Sequence, residues 1–329
     1  MKSEKQSSVW LIWLLCVVLI MGTGMISFAE AKEATYPSKP IELVVGFAPG
    51  AITDLFARFM ADELSKKWKV PINVVNKTGG NQVPAVHYAM QAAPHGYTLL
   101  VDGAGTSSAQ SLLPDLPYKI EDRTFIVRVS ANPHGFMVPA NAPWKNLNDL
   151  TRDVKKDPGK FNWVSLGGSS TVDITTRQYL AAIGVDVDKT SPVSYPGAAP
   201  GMNAVAGGHA SLVVTNPRTE LPLVQAGKGR IIAVTSAERL GWLADVPTTK
   251  EQGLPQVDYQ YWGAFSGPAK LPENVVNTWV TAVQDLLKDP AFVKRMDDRI
   301  GMYPFYAGSK DFKKFLTNEI QELKKLYSK

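Results

Sequence analysis

Ile41-Glu42-Leu43-Val44-Val45-Gly46-Phe47-Ala48-Pro49-Gly50-Ala51-Ile52-Thr53-Asp54 is the stretch on which the reading of this chain turns. From Ile41 to Phe47 it is short and almost continuously apolar, as a strand buried on both faces is. Ala48-Pro49-Gly50-Ala51 then breaks it. Beyond the break Leu55, Phe56, Phe59, Met60 and Leu64 recur at helical spacing, and Thr53 and Asp54 are placed to cap the first turn. The unit is strand, tight turn, helix.

Working outward, the same alternation returns. Strand-like runs occupy 72–75 and 97–102 around a helical stretch at 85–92. A run at 162–166 leads into Gly167-Gly168-Ser169-Ser170-Thr171 and a helix to Ile183, and further strands are expected at 210–214 and 230–236. Strands alternating with helices predict an α/β fold with mostly parallel sheets. A proline-punctuated connection at 139–144, and Leu254-Pro255 ahead of a strand-like run at 259–266, mark two crossings between lobes. The second lobe then spans 139–257, and the first is made of 32–138 and 258–329. Amphipathic helices at 273–287 and 310–327 are read as packing elements of the first lobe.

Charge and composition narrow the function. Hydrophobic residues at 45% and charged ones at 20% suit a globular core. The formal charge of +5 is spread along the chain in short pairs such as Lys66-Lys67. Such pairs read as solvated faces rather than a nucleic-acid surface. Lys2 and Lys5 precede an apolar run at 9–21 and then Ala29-Glu30-Ala31, the pattern of a signal peptide with its cleavage site over 1–31. At about 13 residues the run is short of the roughly 20 that span a bilayer. The one cysteine, Cys16, lies within it. An exported mature chain without disulfides or thiolate chemistry is expected.

Catalytic patterns do not assemble. His87, His95, His134 and His209 are scattered, with no His-x-x-x-His pair for a metal. No G-x-S-x-G elbow supplies a serine nucleophile, and Gly50 stands alone where a dinucleotide fold needs a G-x-G-x-x-G run. What remains are two strand-to-helix turns, 47–54 and 167–171, both rich in small residues. Helix starts offer unpaired N–H groups and about half a positive charge, which suits a carboxylate. Either turn is also readable as a compact capped turn and no more.

Several motifs in order give a resemblance. They are Tyr36-Pro37-Ser38-Lys39-Pro40-Ile41, Phe47-Ala48-Pro49-Gly50 with Thr53-Asp54, Gly96-Tyr97-Thr98-Leu99-Leu100, Leu116-Pro117-Tyr118, Tyr195 with Gly197, Ala226-Gly227-Lys228, and Asp245-Val246-Pro247-Thr248. Together they resemble the periplasmic receptors of the tripartite tricarboxylate transporters, the Bug family, over essentially the whole mature chain. The resemblance implies two α/β lobes closing like a flytrap over a small carboxylate. It implies no cofactor and no enzyme activity, a monomer, and the membrane subunits of a tripartite transporter as partners. A sensor that feeds a signalling partner is the alternative, and a periplasmic enzyme on the same fold a third.

Carried over by position, the grip is Phe47, Ala48, Gly50, Ala51, Ile52, Thr53 and Asp54, facing Gly168, Ser169, Ser170 and Thr171. Thr106 joins from the first lobe, and Tyr195, Gly197 and Ala198 from the second. Asp54 is expected to brace its own turn, because two carboxylates at hydrogen-bond distance repel. Departures from the family pattern place ligand choice at Ala51, Ile52, Asp173, Asn216 and Arg218. Arg218 is either a partner for a second carboxylate or a surface arginine, and Asp173 either meets a donor on the ligand or caps a helix.

Overall fold

The computed structural model describes residues 36–167 and 170–328. The expected signal segment, and Gly168 and Ser169 of the second turn, lie outside the described residues. Lys39–Lys329 form one folded unit. Within it β1 (Ile41–Val45) pairs in parallel with β2 (Ile72–Asn76) on one side and β3 (Thr98–Gly103) on the other. Helix α1 (Ile52–Trp68) joins β1 to β2, and α2 (Val83–Gln91) leads from β2 to β3. On the far side of β3 come β10 (Tyr261–Gly267), β4 (Thr124–Asn132) and the edge strand β11 (Tyr303–Gly308), giving a six-stranded sheet ordered β11-β4-β10-β3-β1-β2.

A second sheet takes β8 (Val213–Thr215), β5 (Gly135–Pro139) and β9 (Gly229–Val234), with β5 in the middle. Beside it β6 (Asn162–Ser165) and β7 (Ser191–Ser194) form a parallel pair, tied to the approach to β8 by the bridge between Trp163 and Leu212. The helices of this lobe are α3 (Leu147–Lys156), α4 (Thr171–Ala182), α5 (Ala198–Ala206) and α6 (Pro217–Gln225). After the chain returns, α7 (Glu273–Lys288), α8 (Pro290–Ile300) and α9 (Ser309–Tyr327) complete the first lobe.

Two expectations need correction. Parallel ladders are the minority among the described residues. They join β1–β2, β1–β3 and β6–β7, whereas β10 and β11 on the first sheet, and β8 and β9 on β5, are antiparallel. A strand buried on both faces reads as the same apolar run in either direction, and β10 enters the sheet from the opposite lobe. The outward crossing also comes earlier than 139–144. Strand β5 already belongs to the second sheet at Gly135, so the chain changes lobes at Pro133 and His134. The prolines near 139 instead shape the entry to α3, where Asn146 caps Asp149 N–H at 2.9 Å. The return runs through Asp258, with Val257 in the second lobe's core and Tyr259 in the first lobe's.

Aromatic packing fixes α1 on the first sheet. Phe56 stacks on Phe265 of β10 at 5.6 Å, and Phe265 meets Trp279 of α7 at 4.7 Å. The helix sits this close because Gly263 lies beneath Phe56, where a Cβ would come within 2.9 Å of the ring. Each such ring buries on the order of 150–250 Å². The start of α1 is thereby anchored at the carboxyl end of β1.

Candidate ligand-binding cleft

The turn after β1 is held by one carboxylate. Asp54, 1% exposed, stands third in α1. Its Oδ2 accepts from Gly50 N–H at 2.9 Å and from Arg58 Nε at 3.0 Å, while Oδ1 accepts from Asn76 Nδ2 at 2.8 Å. Asn76 also donates to the Phe47 carbonyl at 2.9 Å, so the end of β2 clamps the turn. Burial alone would raise the Asp54 pKa, but the bonds from Arg58, Gly50 and Asn76 outweigh it and hold the group below its ordinary value. Gly50 takes φ +85°, a left-handed conformation that glycine tolerates best. The N-cap is Ala51, whose side chain accepts nothing, and the first intrahelical bond is Leu55 N–H to the Ala51 carbonyl at 2.9 Å. The N–H groups of Ile52 and Thr53 precede that bond and are those that a helix start leaves open.

The turn before α4 repeats the device. Ser170 is the N-cap and accepts from Asp173 N–H at 3.1 Å. Asp173, again third in its helix and 1% exposed, accepts from Leu166 N–H at 2.8 Å and from the hydroxyls of Ser165 and Ser170. Its first intrahelical bond is Ile174 N–H to the Ser170 carbonyl at 2.9 Å, which leaves Thr171 and Val172 at the open end.

The two helix starts face one cleft with two chambers. The first, about 500 Å³, has Phe47, Ile52 and Thr53 on one side and Ser170, Thr171 and Val172 on the other. Asn81, Gln82 and Gln110 add amides, and no charged side chain lines this chamber among the described residues. The Phe47 ring lies over Gly105, where a Cβ would sit 2.7 Å from it. The second chamber, about 480 Å³, shares Ile52, Thr171 and Tyr261 with the first and extends to Asn216, Arg218 and Arg299. At the junction the Tyr261 hydroxyl donates to Thr53 Oγ1 at 3.0 Å, and burial holds the phenol above its ordinary pKa, so it stays neutral.

Of the expected residues, Phe47, Ile52, Thr53, Ser170 and Thr171 meet in the first chamber, and Gly50, Ala198, Asn216 and Arg218 line the second. Ala48 is exposed, and neither it nor Ala51 forms part of either wall. Thr106 is fully buried beneath the cleft, where its hydroxyl bonds Asp102 Oδ1 at 2.8 Å and positions the Gly105 segment. Tyr195 is partly buried and packs against the second lobe's core, and Gly197 is the N-cap of α5. Asp54 and Asp173 brace turns and do not line the cleft. Arg218 is already engaged: Nη2 lies 2.6 Å from Asp297 Oδ1, and the guanidinium sits over the Trp242 ring at 4.3 Å.

Tyr261, Gln110 and His134 line the cleft without having been expected there. Tyr261 lay inside an apolar run and His134 among scattered histidines, so neither carried a local signal. Asn81 and Gln82 carried one, a polar pair after two glycines, and both adopt left-handed φ, 51° and 64°. Among the described residues no group of His, Cys, Asp or Glu could hold a metal, and no helix is long and apolar enough to cross a membrane.

A family model described as the tripartite tricarboxylate transporter family receptor matches residues 56–329. A UPF0065 protein of Bordetella pertussis is 27% identical over 297 residues, covering 90% of this chain and 91% of that protein. An R. palustris protein solved with adipate is 25% identical with a TM-score of 0.75, covering 89% of this chain and 97% of the other. MatC from Rhodopseudomonas palustris, solved with bound malate, is 25% identical with a TM-score of 0.72, covering 88% and 99%. The chain belongs to the family of tripartite tricarboxylate transporter receptors.

Proposed function

We propose that this chain is a periplasmic solute receptor that captures a small carboxylate between its lobes and presents the closed form to the membrane subunits of a tripartite transporter. The observation that carries this reading is the meeting of two helix starts, α1 and α4, across a chamber lined, among the described residues, by no charged side chain. One carboxylate placed between them would be held by N–H groups from both lobes, and an anion that bridges the lobes favours the closed state. Asp54 and Asp173 keep both turns rigid while their own charge is taken up by donors. The adipate and malate found in two relatives point to the same class of ligand.

A melting-temperature screen across di- and tricarboxylates, aromatic acids and amino acids tests capture. A ligand at a hundred times its Kd stabilises by about 2.7 kcal/mol, which raises the melting temperature by several degrees. A flat response to every acid would sink the carboxylate reading. Delivery is tested by uptake of the identified acid into vesicles that hold the membrane subunits, which should require the chain.

A further inference from the structure

We propose that His134 sets ligand preference in the second chamber, its Nε2 accepting a hydrogen bond from a hydroxyl or N–H carried by the acid beyond its gripped carboxylate. This rests on the reading of the cleft as a carboxylate site and adds to it the chemistry of the ligand's other end.

His134 sits where the chain crosses between lobes, 3% exposed. Its backbone is pinned to Thr235 on both sides: its N–H donates to Thr235 Oγ1 and its carbonyl accepts from Thr235 N–H, each at 2.9 Å. The imidazole Nδ1 lies 2.7 Å from Thr175 Oγ1 on α4. That hydroxyl has a single proton, and its other neighbours are two carbonyls, Thr171 at 2.9 Å and Tyr259 at 3.3 Å, which only accept. We assign the Thr175 proton to the Thr171 carbonyl, which places the proton of the His134–Thr175 bond on Nδ1 and leaves Nε2 as a bare acceptor. Burial drives the imidazole down to about 4, so the ring is neutral at ordinary pH.

His134 forms part of the second chamber's wall, and with Nδ1 committed to α4, Nε2 is the polar edge left for the cavity. No described residue donates to it. Three donors around the chamber have other partners: Asn132 Nδ2 goes to the Gly301 carbonyl, Arg218 to Asp297, and the Tyr261 hydroxyl to Thr53. Arg299, more than half exposed, lies 3.9 Å from Asp62 and over the Phe59 ring. Among the described residues that line the chamber, Asp298 adds one carboxylate. An acceptor on the cleft wall that a ligand covers without supplying a donor penalises that ligand, and this is how a polar pocket rejects an analogue lacking a single hydroxyl.

The probes are two pairs of acids that differ only by a hydroxyl, succinate with malate and glutarate with 2-hydroxyglutarate, titrated into the full chain by calorimetry. The hydroxylated member of at least one pair should bind roughly five- to tenfold more tightly. The preference should stay constant between pH 6 and pH 8. In Thr175→Val, which removes the acceptor that fixes the tautomer, it should collapse to within about twofold. Nitrogen-15 shifts of the imidazole should report the Nδ1–H form in the native chain and a mixture in that variant. Equal affinities within both pairs, an Nε2–H tautomer in the native chain, or a preference that survives Thr175→Val would each overturn the proposal while leaving the carboxylate site intact. Binding of the plain acids that tightens as pH falls through 6.5 would show an imidazolium pairing with a carboxylate, and also overturns it. Failure of all four acids, together with a flat melting screen, would remove the carboxylate reading and this proposal with it.

Discussion

Asp54 shows what a single side chain contributes at the first turn. Its two oxygens gather the Gly50 N–H, the Asn76 amide and the Arg58 guanidinium, so turn, β2 and α1 share one anchor. Asp54→Asn keeps the shape but removes the charge, and should cost about 1–3 kcal/mol at pH 7. The half-exposed Arg58 supplies the smaller share of that. Because the folded pKa lies below the ordinary 3.8, this stability is present above that value and is lost as pH falls through the folded one. Urea melts of native and variant chains should therefore differ at pH 7 and draw together as pH falls below 3.8, and a gap that does not narrow in acid would contradict the assignment. Asp54 was legible in the sequence because an acid at the third helical position is a local pattern. Thr106 was misplaced for a related reason. Its partner Asp102 is four residues away, yet nothing in the spacing says that the bond draws the hydroxyl under the cleft and out of it.

At the scale of elements, strand and helix positions follow from periodicity, whereas strand direction does not. Strand β10 reads as an apolar run and is buried along its whole length, and only its pairing with β3 and β4 shows that it runs antiparallel to both. The same strand delivers Tyr261 to the cleft and Trp262 to α9, two roles that alternate with the pleat. Trp262 Nε1 donates to both Glu319 oxygens, at 3.2 and 3.0 Å. Burial pushes the Glu319 carboxyl up to about 7 from 4.5, with Asp258 adding to the rise, and the bonds from Ser108 and Trp262 and the charge of Arg128 only partly offset it. A raised carboxyl gives stability that is complete below its unfolded pKa and is lost as pH climbs through the folded one. Helix α9 should accordingly hold best below pH 5 and loosen towards pH 8. Glu319→Gln keeps an acceptor for the indole without the charge. It should be more stable than the native chain at pH 8 by about 1–3 kcal/mol and equal to it near pH 4. Denaturant melts at the two pH values measure this, and a variant less stable at pH 8 would refute it.

For the whole molecule the decisive contact is between lobes. Helix α6 packs on the second sheet and α8 against α1 and β11 of the first lobe, and Arg218 and Asp297 join them across the second chamber with 28% and 34% of their side chains exposed. The sequence left Arg218 as either a partner for a ligand carboxylate or a surface arginine. Its actual counter-charge lies 79 residues away on α8, beyond the reach of any local pattern. A charge already paired and stacked on Trp242 is a poor seat for a second carboxylate, because the ligand would have to displace Asp297 from a guanidinium it shares. In the receptor proposed above, the pair would favour closure irrespective of what fills the cleft. At this exposure it is worth about 0.5–1 kcal/mol, which scales the closed population by roughly two- to fivefold. Arg218→Ala and Asp297→Ala should then weaken every acid by the same factor, leave the order of preference among them unchanged, and show no further loss when combined, since each removes the same contact. High salt should shrink the effect in the native chain, because a partly exposed pair is screened. Titration of three acids of different charge against the two single variants and the double variant distinguishes the roles. A loss confined to dicarboxylates in Arg218→Ala alone would return the arginine to the ligand.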